Sequence, residues 1–280
     1  MLLELAVGDA YGAGFEYADE MISHNNLSRY VRHPRHNLKP GCYTDDTQMS
    51  LAIAQLLIEG KPWTELEVAN AFVDVFQRDP RPGYSRKFYQ FLQTVSDGED
   101  FLHRATWISD GSGAAMRSPP IGILPQLETV IEYTQIQAAV THKAKAGIDA
   151  AVAAALMSHY FIYQLGKKQN LGLFLDTYVP GYHWSQPWTG RAKSTGWICV
   201  KAAVTALQKN DKLSTLLQDC IAFTGDVDTI AAMALAAGSC SFEIEWDLPE
   251  NLIQDLENDA WGRDYIIALD RQLLHLANRG

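Results

Sequence analysis

Two short acidic clusters hold the densest potential chemistry in this chain: Thr44-Asp45-Asp46-Thr47 and, far downstream, Gly225-Asp226-Val227-Asp228-Thr229. Each sits where a loop turns into an apolar helical stretch. Together they offer four carboxylates and several hydroxyls, with no His or Cys inside either cluster. An all-oxygen donor set suits hard cations such as Mg²⁺, Mn²⁺ or Ca²⁺ rather than Zn²⁺ or copper. If a fold brings the clusters together, a charge of −4 faces itself. Two divalent cations would cancel it.

The same residues also suit helix capping. Thr44 is a good N-cap, and Asp45 and Asp46 in a first turn complement the positive end of the helix dipole. Gly225 can make a turn ahead of Asp228 or Thr229 as the cap of the next helix. One carboxylate satisfies each cap, yet each cluster supplies two. Spacing alone leaves metal binding and capping both open.

The elements that must position these clusters read as helices. Asp46–Glu59 carries Met49, Ile53, Leu56 and Leu57 at apolar helical positions, and Thr64-x-x-Glu67 is a capping box opening a helix with Val68, Phe72, Val75 and Phe76 on one side. Further helices are predicted at roughly 84–95, 127–139, 141–164, 169–178, 194–209, 213–223, 229–239, 250–258 and 262–278. Residues 144–157 and 230–238 are unusually rich in alanine, which suits close helix packing in a central bundle. No alternating strand run lies between these segments. Residues 13–43 read as a long surface loop, and 78–84 and 179–193 as breaker-rich connections. His33 and His36, in an HxxH arrangement within that first loop, read as surface residues. The expectation is an all-α, compact single-domain orthogonal helical bundle over residues 1–280.

Bulk numbers narrow the function classes. The chain has 280 residues, 47% hydrophobic and 20% charged, as a globular protein with a substantial core requires. A net charge of −10 argues against general nucleic-acid binding, though not against a small anionic substrate held locally. The four cysteines form no CxxC pair or dense framework, so free thiols in a cytoplasmic protein are expected. No apolar run is long enough to span a bilayer, and Met1–Ala6 lacks the basic start of a secretory leader.

Five segments in order carry a resemblance. Gly8-Asp9-Ala10-Tyr11-Gly12 followed by Glu16, then Tyr43-Thr44-Asp45-Asp46-Thr47, then Gly111-Ser112-Gly113-Ala114-Ala115-Met116-Arg117 running to Pro120-Ile121-Gly122, then Thr141-His142, then Gly225–Ala232, resemble the ADP-ribosylglycohydrolase family, which includes the dinitrogenase-reductase-activating enzyme. The resemblance implies an all-α fold with a dinuclear metal cleft holding two Mg²⁺ or Mn²⁺ ions. It implies Thr44, Asp45, Asp46, Asp226, Asp228 and Thr229 as metal ligands, and Glu16, Asp45 and Asp226 as catalytic residues, with Glu16 on a flap that positions or deprotonates water. Metals in such sites lie ~3.5–4 Å apart and share an oxygen. The implied reaction cleaves the glycosidic bond at the distal ribose of ADP-ribose, releasing a protein or small-molecule acceptor. A cognate ADP-ribosyltransferase or its target would be a partner; a membrane would not.

Other groups must manage the diphosphate. Backbone N–H groups of Gly111, Ser112 and Gly113 could form an anion nest, although GSG is also a plain turn. His142, at the start of a predicted helix, resembles a family His near the phosphates or ribose, and equally suits a surface position. Tyr182, Trp184 and Trp188 are candidates for stacking on adenine or for anchoring their own loop. Ser112 stands where Asn is common, Ser118 and Pro119 alter the next segment, and Gly238-Ser239-Cys240-Ser241-Phe242 lacks the usual GAxxG continuation. These departures bear on the acceptor pocket. Competing classes are a non-catalytic or dual-role binding protein, such as a toxin-immunity protein, and a metal-dependent phosphoester hydrolase.

Overall fold

Alanine and glycine set the helix spacing around the second acidic cluster. In the computed structural model the described residues are 1–277, and among them fourteen α-helices and three short 3₁₀ turns form no β-sheet. The first half contains α1 (Leu2–Gly12), α2 (Asp45–Glu59), α3 (Glu65–Arg78), α4 (Arg86–Leu92), α5 (Gly98–Arg104), α6 (Gly113–Met116) and α7 (Leu127–Ala139). The second contains α8 (Lys145–Ile162), α9 (Leu171–Tyr178), α10 (Gly196–Lys209), α11 (Leu213–Ala222), α12 (Val227–Gly238), α13 (Glu250–Gln254) and α14 (Arg263–Ala277).

Helix α12 is buried along its whole length and packs against α1, α8, α10 and α11. Its small side chains let backbones approach, and α1 comes closest. A Cβ added at Gly8 would meet the Ala231 carbonyl oxygen at 2.6 Å, and one at Gly12 would meet Asp228 Cα at 2.4 Å. Gly12 therefore fixes the backbone of the second acidic cluster by direct contact. Helix α2 starts as its sequence suggests: Thr44 is the N-cap and accepts from the Asp46 N–H. It ends at Gly60 in the left-handed conformation, φ 64°, as C-terminal glycines do. The Thr64 cap of α3 accepts from the Glu67 N–H at 3.3 Å, and the expected apolar face of that helix is buried.

Several expectations change. Helix α1 was not visible as periodicity because nearly all its residues are buried, leaving no polar face to mark a 3.6-residue repeat. Helix α5 follows an Asp97 cap in a stretch too polar to show the pattern. The segment 13–43 is not simply a surface loop: Phe15, Ala18, Leu27 and Tyr30 are buried, and the Tyr30 hydroxyl donates to the Leu252 carbonyl at 2.6 Å. His33 is not a surface residue, being only 3% exposed, whereas His36 is exposed as expected. Among the described residues no helix is long and apolar enough to cross a membrane.

Candidate active site

The N-termini of α2, α6 and α12 meet at a cleft of about 570 Å³. Glu16, Asp45, Asp46, Asp226, Asp228 and Thr229 line it, so the fold joins the two distant acidic clusters and adds a fifth carboxylate. A sixth, Asp9 on α1, lies beneath them. Carboxylate oxygens of Asp9, Asp46 and Asp228 lie within 4.8 Å of one another, as do those of Glu16, Asp226 and Asp228. Asp228 belongs to both groups.

Asp9 organises the α2 start. It is fully buried; its Oδ1 accepts from Thr44 Oγ1 at 2.8 Å, and its Oδ2 accepts from Thr44 N at 2.9 Å, Thr47 N at 3.0 Å and Thr47 Oγ1 at 2.5 Å. The Thr44 hydroxyl proton thus belongs to Asp9, leaving one lone pair of Thr44 Oγ1 beside the one that accepts from the Asp46 N–H. Asp46 Oδ1 is buried without any hydrogen-bond donor. An orphaned carboxylate oxygen among other carboxylates is costly unless a cation meets it. Burial first, then mutual repulsion, pushes Asp45, Asp46 and Asp228 well above the usual carboxylate range. Burial likewise raises Asp9, against the pull of its four donors. These oxygen-only donors fit hard divalent cations, which would reverse that repulsion.

The remaining carboxylates are held by specific neighbours. Asp226 Oδ2 accepts from Ser112 Oγ at 2.9 Å and lies 3.4 Å from the Cys199 thiol, whose single proton also has the Lys193 carbonyl at 3.2 Å as an acceptor. Asp226 is the N-cap position of α12 but makes no side-chain cap bond, so capping does not explain its carboxylate. Asp45 receives the close approach of Gly83, φ 107°, where an added Cβ would fall 1.9 Å from Asp45 Oδ1. Glu16 is half-buried rather than an exposed loop residue. Burial, then the charges of Asp226 and Asp9, raises its carboxyl to about 7. Its backbone is clamped on both sides. His33 Nδ1 accepts from the N–H groups of Arg35 and His36, so Nε2 carries the proton and donates to the Glu16 carbonyl at 2.8 Å. Tyr17, at φ 48°, donates its N–H to the Gly225 carbonyl at 2.8 Å.

On the other side of the cleft the expected nest is reduced. Gly111, Ser112 and Gly113 do line the cleft, but Gly111 N–H donates to Ser109 Oγ and Ser112 N–H to the Ser194 carbonyl. Neither is free to hold an anion. His142 lines the same wall, yet it does not open a helix: α8 begins three residues later, at Lys145. Burial and the nearby Arg117, not a helix dipole, depress its imidazole to about 3. Tyr84, Phe88 and Trp107 form an aromatic wall, with Phe88 and Trp107 edge to face at 5.6 Å. Tyr182, Trp184 and Trp188 lie outside the cleft. Trp184 is fully buried, with Nε1 donating to the Val179 carbonyl at 2.7 Å, so that cluster anchors its loop.

Comparison with known proteins places this geometry. The profile of the ADP-ribosylglycohydrolase family matches residues 1–280. The chain belongs to the ADP-ribosylglycohydrolase family. ADP-ribosylhydrolase ARH3 of Xenopus tropicalis is 30% identical over 193 residues, covering 62% of this chain and 53% of that protein. The chain thus spans about half the length of that relative. ADP-ribosyl-(dinitrogen reductase) glycohydrolase of Rhodospirillum rubrum is 24% identical, covering 91% of this chain and 88% of that protein. A solved ADP-ribosylglycohydrolase-related protein complex shares the all-α fold, with a TM-score of 0.74 at 19% identity over 99% of this chain and 96% of that one.

For this family member, Asp45, Asp46, Asp226, Asp228 and Thr229 of the two acidic clusters line one cleft, whereas Thr44 lies behind them, bonded to Asp9. Asp9, Ser112 and Cys199 as carboxylate supports, His33 as a clamp on Glu16, and the aromatic wall were not read from the sequence. Asp9 did leave one trace: with Glu4 it is one of two acids in an otherwise apolar N-terminal stretch, and it falls within the Gly8–Gly12 segment.

Proposed function

We propose that this protein is a divalent-cation-dependent hydrolase that cleaves the glycosidic bond between ADP-ribose and a modified acceptor, reversing ADP-ribosylation. The observation that carries this reading is the convergence of the two acidic clusters, with Glu16, on a nucleotide-sized cleft that contains an orphaned Asp46 oxygen. Thr44, Asp45, Asp46, Asp226, Asp228 and Thr229 would hold two Mg²⁺ or Mn²⁺ ions. Bound there, the ions neutralise the carboxylates, orient the ribose hydroxyls and offset charge that develops as the bond breaks.

The protein groups do the rest. Glu16, raised toward neutrality by burial, accepts a proton from the attacking water at its carboxylate. Water adds at the anomeric carbon, the C–N or C–O bond to the acceptor breaks, and the departing acceptor atom takes up the proton. Asp9 keeps the α2 start and its Thr44 oxygen fixed, and Ser112 and Cys199 keep Asp226 oriented. The aromatic wall of Tyr84, Phe88 and Trp107 offers a stacking surface for a base. Free cysteines and the absence of a membrane-crossing helix among the described residues agree with a cytoplasmic setting.

Arginine-, serine- and nucleotide-linked ADP-ribose, incubated with the protein and Mg²⁺, distinguish the chemistry by product. Free ADP-ribose from at least one substrate supports the proposal. AMP would indicate diphosphate cleavage and overturn it.

A further inference from the structure

The cleft lining also contains a buried cation that no carboxylate pairs with directly. Arg117 is 1% exposed, yet forms no salt bridge among the described residues. Its Nε donates to Gln137 Oε1 at 2.6 Å, its Nη2 to the Gln137 carbonyl at 3.1 Å and to Thr141 Oγ1 at 2.7 Å, and its guanidinium lies 4.4 Å from the Phe72 ring centre. Gln137 cannot be reversed, because its Nε2 donates to the Ala114 carbonyl and Ser118 Oγ. The orientation of Arg117 is therefore determined from behind.

Thr141 Oγ1 accepts from Arg117 and lies 2.7 Å from His142 Nδ1. A guanidinium can only donate, so the Thr141 hydroxyl proton is left with one acceptor, His142 Nδ1. An Nδ1–H would take the second lone pair of Thr141 Oγ1 and leave the hydroxyl proton with no protein acceptor among the described residues. The arrangement that satisfies every one of these groups puts the imidazole proton on Nε2. Nε2 makes no hydrogen bond to the protein among the described residues, and it lies on the Gly111–Gly113 side of the cleft, 3.5 Å from where a Cβ on Gly113 would stand.

We propose that Arg117 and Thr141 act as positioning residues that fix the tautomer of His142, presenting Nε2–H into the cleft as a neutral donor for an anionic oxygen. Two N–H groups of the neighbouring glycine turn are already engaged, so His142 Nε2–H is a side-chain donor that this wall offers in their place. Burial and the Arg117 charge, which keep the imidazole uncharged, agree with the hydrogen-bond pattern. Identifying the anion as a diphosphate oxygen of ADP-ribose rests on the proposed function. The tautomer does not.

Nitrogen-15 NMR of histidine-labelled full-length protein reads the tautomer directly, and calorimetry with ADP-ribose reads its consequence. The expected result is a protonated Nε2 and an unprotonated, hydrogen-bonded Nδ1 at His142. Thr141→Val should mix the tautomers and weaken ADP-ribose binding about tenfold, as expected for one lost charge-assisted hydrogen bond, while Thr141→Ser should restore both. A wild-type His142 protonated on Nδ1 would overturn the inference, whatever the variants do. So would a folded Thr141→Val protein with unchanged tautomer and affinity. A correct wild-type tautomer in a protein that binds no ADP-ribose would support the relay and count against the functional reading alone.

Discussion

Replacing Glu16 with Gln should abolish turnover and yet stabilise the cation-free protein, by an amount that depends on pH. Glu16 titrates at about 7 in the folded protein, against an ordinary value of 4.5. Between those values the folded chain binds more protons than the unfolded one. The stabilisation from the protonated carboxyl is complete below pH 4.5 and is lost as pH rises through about 7. Gln is neutral throughout and carries no such loss. The difference between Glu16→Gln and wild type is then about 1 kcal/mol at pH 5 and about 3 kcal/mol at pH 8. For a chain of this length an unfolding entropy of about 0.6 kcal/mol/K makes this roughly 1–2 °C at pH 5 and 5–6 °C at pH 8. Thermal melts in chelator at the two pH values measure it, and saturating Mg²⁺ should shrink the gap at pH 8. A gain that is absent at pH 8, or as large at pH 5, would refute the claim that Glu16 is held near neutrality by burial among carboxylates.

Substitutions at two other positions probe the supports of the site. Gly12→Ala places a methyl carbon against the Asp228 backbone; it should cost about 1–3 kcal/mol by overpacking and weaken Mn²⁺ binding, read by melting and calorimetry. At position 33 Gln can reproduce the Nε2–H donor to Glu16, whereas Asn can reproduce only the acceptor for the Arg35 and His36 N–H groups. His33→Gln should therefore keep kcat nearer to wild type than His33→Asn, whose kcat should fall about tenfold for the lost hydrogen bond. The reverse order in steady-state kinetics would show that His33 serves its own loop and not Glu16.

The parts of this protein legible in its sequence are those where one face of a helix differs from the other, where a cap has a distinctive residue, or where alanine is concentrated, as in α12. Helices α2, α3 and α7 show this, and α7 falls on its expected range of 127–139. Helix α1 was illegible because burial on all sides erases the polar face. The acidic clusters were visible as donor sets, but capping and coordination use the same residue types; only the fold shows four donors converging on Asp9 and an Asp46 oxygen with none. His33 looked like a surface residue because Pro34, Arg35 and His36 around it are exposed. The engaged N–H of Ser112 depends on Ser194, distant in sequence, so no local motif could reveal it.

The central claim is that the joined acidic clusters hold the cations on which hydrolysis depends. Its most direct test measures Mn²⁺ stoichiometry and ADP-ribose release together, in wild type and in Asp45→Ala. Two ions per wild-type chain, fewer in the variant, and release lost with them are the expected result. Near-normal ADP-ribose release by Asp45→Ala, or by wild type in excess chelator, would contradict the account.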